Sequence, residues 1–153
     1  MASPYFIFFS EMDKKTSLFK KCLNTLSLID PKNWPKQRII YFLDVLNYDY
    51  LVYTNGNELI GASAFNPDRQ KKIVKSFLIF VSPRYRKQGI AKAIWVKLLQ
   101  WTFENKFKGA QFGLGNNSAT MAVLKAIKRE IKKFGLTFAD ISPDTGKIIF
   151  REK

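Results

Sequence analysis

The chain predicts a mixed α/β fold, one layer of sheet with helices on its faces. Three observations carry that expectation. Strand-length apolar runs alternate with clusters of Gly, Pro and Asn. Between them lie segments whose apolar residues repeat at helical spacing. The segment FLIFVSPRYRKQGIAKAIWVKLLQW, residues 77–101, reads as a buried strand, a basic turn and an amphipathic helix. The element order is β-α-α-β-β-β-α-β-α-β-β, and 153 residues fit one domain, 1–153, with a real hydrophobic core.

The elements follow in order. Residues 5–9 (YFIFF) form an aromatic first strand. Residues 13–28 are helical, with Leu18, Phe19, Cys22, Leu23 and Leu26 on one face. Asp30-Pro31 and Trp34-Pro35 punctuate a loop, and a second helix covers about 37–46, with Ile39, Ile40, Phe42, Leu43, Val45 and Leu46 facing inward. Residues 50–54 and 58–65 flank Asn55-Gly56-Asn57 as a hairpin. Asn66-Pro67-Asp68 is expected as a turn, and 73–81 as a third long strand. A helix to about 103 repeats Ile90, Ile94, Leu98 and Trp101 toward the sheet. Residues 110–114 are a short strand stopped by Gly115-Asn116-Asn117. Ser118 caps a long helix to about 133, with Gly135 as its stop signal. Residues 136–141 and 147–150 form a terminal hairpin. No repeat or linker interrupts the chain.

Composition narrows the chemistry. Hydrophobic residues make up 46% and charged residues 25%, ordinary for a globular protein. The net charge of +14 is not ordinary, and it implies an anionic partner: a phosphorylated cofactor, a nucleic acid or an acidic protein. The competing reading is a solvated basic surface. With no histidine there is no Ser-His-Asp triad, Cys-His pair, His-bound zinc or imidazole base. With Cys22 alone there is no internal disulfide and no cysteine-cluster metal site, so no metal is expected. No apolar stretch reaches bilayer length, and the 5–9 run is too short for a signal-peptide core. A soluble, cytoplasmic protein without a membrane partner is the expectation.

The turn after the third long strand stands out. From Arg69 to Lys97 there are nine cations and no Asp or Glu, and Arg84, Arg86, Lys87 and Lys92 flank a helix start. Helix starts favour acidic side chains, because their N–H groups carry partial positive charge. Cations there make sense if an anion, most simply a phosphate, docks on them. Arg86-Lys87-Gln88-Gly89-Ile90-Ala91 fits the pattern R/Q-x-x-G-x-G/A. Gly89 and Ala91 let the backbone approach a ligand closely, and successive N–H groups can wrap a pyrophosphate. The structural alternative is an ordinary strand-to-helix turn with a basic face.

With Val81-Ser82-Pro83-Arg84-Tyr85 leading into that motif, the chain resembles the GCN5-related N-acetyltransferase (GNAT) family over nearly its whole length. A looser similarity is Asn116-Asn117 before a helix ending in Phe134-Gly135-Leu136. The resemblance implies a mixed, mostly antiparallel and splayed sheet gripping the pantetheine arm of an acyl-coenzyme A. Backbone groups of Ile79, Phe80 and Val81 would pair with that arm as an added strand. The pyrophosphate would sit on Arg86, Lys87, Gln88, Gly89, Ile90 and Ala91, with Lys92 close by. Asn117, or Asn116, would lie near the thioester, though an Asn there is equally a turn or cap residue. The implied activity is acetyl transfer from acetyl-CoA to an amine.

The chain departs from the family where catalysis is concerned. Many members place a glutamate near the reacting centre as base. Residues 73–81 hold no carboxylate, and the matching count on the next strand reaches Gln111 or Phe112. Gln111 would orient a water without taking its proton. The family's acid is a tyrosine on the last helix; the two ways of counting reach Leu124 and Ile131. Ser118, Thr120 and Tyr85 are the substitutes at hand, and the candidate catalytic set is Gln111, Asn117 and Ser118. Two other readings compete: a weak or inactive GNAT-fold protein that binds CoA, nucleic acid or a protein through its basic surface, and a nucleic-acid-binding module with an incidental turn. Lys14, Lys15, Lys20 and Lys21 on the first helix and Lys125, Lys128, Arg129, Lys132 and Lys133 on the last make RNA, tRNA or DNA an acceptor to consider. An acidic protein or a small amine is the alternative, and Trp34 is placed to line an acceptor cleft. Monomer and homodimer are both compatible with the sequence.

Overall fold

The structure, a computed structural model, describes residues 3–112, 129, 138–142 and 147–150. The chain forms β1 (Tyr5–Phe8), a 3-10 turn (Phe9–Glu11), α1 (Ser17–Ile29), α2 (Lys36–Asp44), β2 (Asp49–Thr54), β3 (Leu59–Asp68) and β4 (Ile73–Val81). A second 3-10 turn (Pro83–Tyr85), α3 (Ile90–Glu104), β5 (Gly109–Phe112), β6 (Phe138–Ser142) and β7 (Lys147–Phe150) follow. All seven strands join one sheet in the order β1-β2-β3-β4-β5-β7-β6. Only β4–β5 is a parallel pairing; the others are antiparallel. This is the mixed α/β architecture expected from the sequence. Of the expected last helix, Arg129 is described, as helical and exposed; the rest of it, with Gly115 and Gly135, lies outside the described residues.

The sheet divides the core into two layers. On one face α1 and α2 bury Phe19, Cys22, Leu26, Ile39 and Phe42 against Val52, Ala62 and Ala64. On the other, α3 buries Ile94, Trp95, Leu98 and Leu99 against Phe65, Val74 and Phe112. Trp101 is half-buried and packs against that second layer, with Phe8 at 5.4 Å and Phe65 at 5.5 Å.

Several boundaries differ from expectation for local reasons. α1 begins at Ser17 because Thr16 caps it: its Oγ1 accepts a bond from Phe19 N at 3.2 Å. α2 ends at Asp44, so Val45 and Leu46, expected inward, are 58% and 44% exposed. β3 runs straight through Asn66-Pro67-Asp68, and the turn falls at 69–72, where Lys72 takes a φ of 57°. Pro67 pairs with Val74, but β2 begins only at Asp49, opposite Phe65, and so does not reach Pro67. Beyond that point β3 is locally an edge, where a missing N–H costs no ladder bond.

The β3–β4 register shifts by one residue: Phe65 faces Ser76, whereas Ala64 faces Leu78. Phe77 is therefore the extra residue of a β-bulge. A bulge reverses the inside–outside alternation beyond it. Val74 packs in the α3 layer, but after the bulge Leu78 and Phe80 pack against the α1–α2 layer and Ile79 against the α3 layer. Ser63 and Ser76, both buried, span the bulge. Their hydroxyls lie 2.7 Å apart, and Ser63 Oγ donates to the Leu78 carbonyl at 2.9 Å.

Candidate functional site

Strand β4 forks at this bulge. β5 pairs with Ile73–Ser76 only, while β3 stays paired with β4 up to Val81. The β4 edge turned away from β3 at residues 78–81 thus has no strand partner among the described residues. Ile79, Phe80 and Val81 are all half-buried there. An open edge at the end of a parallel pair offers N–H and C=O groups to an extended ligand.

The strand leads straight into the turn. Ser82 holds its end to β3, its N–H bonding the Ile60 carbonyl and its hydroxyl the Leu59 carbonyl, each at 2.8 Å. Lys87 has φ 62° and Gly89 has φ 75°, so two left-handed residues swing the chain into α3. Left-handed and right-handed residues in close succession aim backbone N–H groups at one point. No side chain caps α3, and its first ladder bond is from Ala93 N to Gly89 O. The N–H groups of Ile90 and Ala91 therefore have no intrahelical acceptor. A Cβ on Gly89 would meet nothing within 4 Å, so the backbone conformation, and not crowding, favours glycine there. Arg86, Lys87 and Gln88 are exposed, and Ala91 and Lys92 are half-buried.

The four cations at the turn do not act alike. Arg84 pairs with Glu58 at 3.0 Å, and Tyr85 also donates to Glu58 at 2.8 Å. Those contacts raise the Arg84 pKa, the Tyr85 hydrogen bond foremost, and commit Arg84 and Tyr85 to holding the β2–β3 turn. Arg86 instead donates Nε to the Val81 carbonyl at 3.0 Å, which fixes its guanidinium beside the end of β4. Arg84 thus counts less toward an anion than its place in the sequence suggests, and Arg86 counts more.

Gly61 is a positioning residue that sequence reading passed over. It faces Val81 across the ladder, and a Cβ there would sit 2.9 Å from both Ile94 Cδ1 and the Phe80 carbonyl. Its bareness lets the first turns of α3 lie directly on the sheet. A glycine inside an apolar strand is the signal that marks such close approach.

A cavity of about 110 Å³ lies on the opposite face, lined by Leu26, Ile29, Asp30, Trp34, Tyr50, Ala64 and Leu78. Ala64 and Leu78 are the pair beside the bulge, so the cavity opens where β4 leaves β5. Trp34, in the loop between α1 and α2, lines it. Its ring lies edge-on to Phe42 at 5.3 Å and under the Arg38 guanidinium at 4.8 Å. The loop is tied by Asp30, which accepts from Asn33 Nδ2 at 3.0 Å and, through its carbonyl, from Trp34 N at 2.8 Å. Asp30 and Tyr50 are the ionisable groups in this lining. Tyr50 is nearly buried, which pushes its phenol up to about 12 and keeps it protonated at neutral pH.

Gln111 is half-buried on β5 opposite Lys75 of β4. Asn116, Asn117, Ser118, Thr120, Leu124 and Ile131 lie outside the described residues. Among the described residues no cluster of three or more Cys, Asp or Glu could hold a metal, and no helix is long and apolar enough to cross a membrane.

Residues 19–127 match the model of the Acetyltransferase (GNAT) family. Among solved structures, the chain is similar to a Bacillus subtilis acetyltransferase in complex with CoA, at 17% identity, TM-score 0.56, with 90% of this chain and 79% of that chain covered. It is similar to Tetrahymena GCN5 at 17% identity, TM-score 0.57, covering 87% and 79%. It is also similar to an aminoglycoside acetyltransferase from an uncultured soil metagenomic sample in complex with sisomicin, at 13% identity, TM-score 0.60, covering 82% and 86%. No curated protein matches the chain in sequence.

Proposed function

Because the chain belongs to the GNAT family of acetyltransferases, we propose that it transfers an acetyl group from acetyl-CoA to an amine in the Trp34-lined cavity. The observation that carries this reading is the continuity of the β4 fork with the turn that follows it. The open edge of 78–81 suits the amide-rich pantetheine arm, and it delivers the chain to the N–H groups of Ile90 and Ala91 and to Arg86. A pyrophosphate fits that end because the helix dipole and the cations attract it together. The bulge would place the thioester beside Leu78, at the mouth of the cavity.

In the reaction a neutral amine nitrogen forms a bond to the acetyl carbonyl carbon, the C–S bond breaks, and the proton that the nitrogen sheds in becoming an amide goes to the departing thiolate. Asp30, the carboxylate in the cavity lining, would hold the incoming ammonium ion while water takes the proton that frees the amine lone pair, and the protonated Tyr50 phenol is a donor in the same lining. Gln111 would orient a water, Asn117 would lie near the thioester as the family resemblance implies, and Ser118 would stand in for the family's tyrosine acid. The absence of a carboxylate on β4 favours a second reading, in which the chain binds acetyl-CoA and turns over slowly.

Amine-dependent release of CoA thiol tests the first reading. Arg86→Glu and Gly89→Asp should each lower kcat/KM at least about tenfold, since each sets a negative charge beside the phosphates. Aspartate tolerates positive φ better than most residues, so the second variant should stay folded. Unchanged turnover in both variants would rule out this cofactor site. Acetyl-CoA binding without thiol release across a panel of amines would favour the second reading.

A further inference from the structure

A second basic surface lies away from the turn. A shallow groove of about 480 Å³ runs along α1 to the start of α2, lined by Lys15, Ser17, Lys20, Lys21, Asn24 and Lys36. Its lining has four lysines, no carboxylate and no apolar side chain. Among the described residues the two ion pairs are Lys14–Asp44 and Arg84–Glu58, so the four groove lysines have no counter-charge within 4 Å. Lys14, their neighbour in sequence, is the lysine that Asp44 neutralises. Like charges on one helix face repel, and basic side chains near a helix start oppose its dipole.

We infer that this groove binds the phosphate backbone of a single strand of RNA. The extent of the groove argues for a chain of phosphates. Its lining spans two helices and about 10 Å of α1 axis from Ser17 to Asn24, more than one phosphate can touch. A basic row of that length follows the phosphates of one strand. A membrane surface would call for apolar side chains interleaved with the lysines, and a protein partner for an aromatic or aliphatic anchor; the lining has neither. Lysine, serine and asparagine are the side chains that contact phosphate and sugar without reading sequence. The inference is independent of the acyl-transfer reading, since no groove residue belongs to the turn or the fork.

The test is fluorescence anisotropy with a labelled oligouridylate over a salt series, using the full chain. Wild type should bind with a log–log salt slope near about −3, at about −0.7 for each of four lysines. Lys20→Glu/Lys21→Glu should weaken binding at least about tenfold and flatten the slope by about 1.4. Glutamate near the start of α1 suits the helix dipole, so this variant should fold. Lys71→Glu/Lys108→Glu carries the same charge change on exposed residues elsewhere and should leave binding nearly intact. No binding at low salt, or equal weakening by both double variants, would overturn the proposal. So would tighter retention on phosphatidylserine vesicles than on the oligonucleotide. Acetyl-CoA titration of Lys20→Glu/Lys21→Glu, expected to match wild type, separates failure here from failure of the cofactor reading.

Discussion

Cys22 is fully buried in the α1–α2 layer, and burial pushes its thiol up to about 11 from a usual 9.0. A neutral, enclosed thiol is a poor nucleophile. Native protein at pH 8 should therefore leave a thiol reagent such as DTNB uncoloured until denaturant is added, and rapid native reaction would contradict this burial. The same fact makes thiol release a clean readout of transfer. Folded Cys22 and Tyr50 hold their protons more tightly than the unfolded chain does. Their contribution is whole below pH 9 and is lost as pH rises through about 11 for the thiol and about 12 for the phenol. Cys22→Ala should flatten the first part of that decline in a denaturation series. Ser63 and Ser76 matter in a different way. Ser63→Ala removes the donor to the Leu78 carbonyl across the bulge and should cost about 1–3 kcal/mol by urea denaturation. Ser76→Ala leaves that bond in place and should cost about 1 kcal/mol or less. If the pair sets the bulge, acetyl-CoA affinity falls with Ser63→Ala as well; equal stability loss from both variants with unchanged affinity would show a merely structural role.

At the scale of elements, what was legible was whatever rests on short-range pattern. The hairpin at Asn55-Gly56-Asn57, the long β4 and the strand–turn–helix over 81–91 all appear where spacing and turn residues put them. What was not legible depends on partners distant in sequence. The bulge at Phe77 exists in the register between β3 and β4, and no alternation in the apolar run of 73–81 betrays it. Pro67 reads as a turn residue, yet it lies in a strand because β2 begins too late to need its N–H. Arg84 and Arg86 look equivalent in the motif; only the fold brings Glu58 to one and the Val81 carbonyl to the other. Asp30 and Tyr50 stand twenty residues apart in sequence and line one cavity through the packing of α1 on the sheet. Gly61 was the missed signal that sequence did carry, a bare residue within an apolar strand under the start of α3.

At the scale of the whole molecule, the +14 charge resolves into separate surfaces. One follows β4 into α3 and suits a diphosphate; another follows α1 and suits a strand of phosphates. Between them the sheet holds two independent core layers, and the fork of β4 from β5 opens at the boundary of both. Most direct as a test is calorimetric titration of acetyl-CoA at moderate salt, with ATP as a control for charge alone. The fork and turn together predict saturable, one-to-one binding of acetyl-CoA with much weaker binding of ATP, because only the former carries a pantetheine arm for the open edge of β4. Equal affinity for the two ligands, or none for either, would contradict the account and leave residues 86–91 as a basic turn.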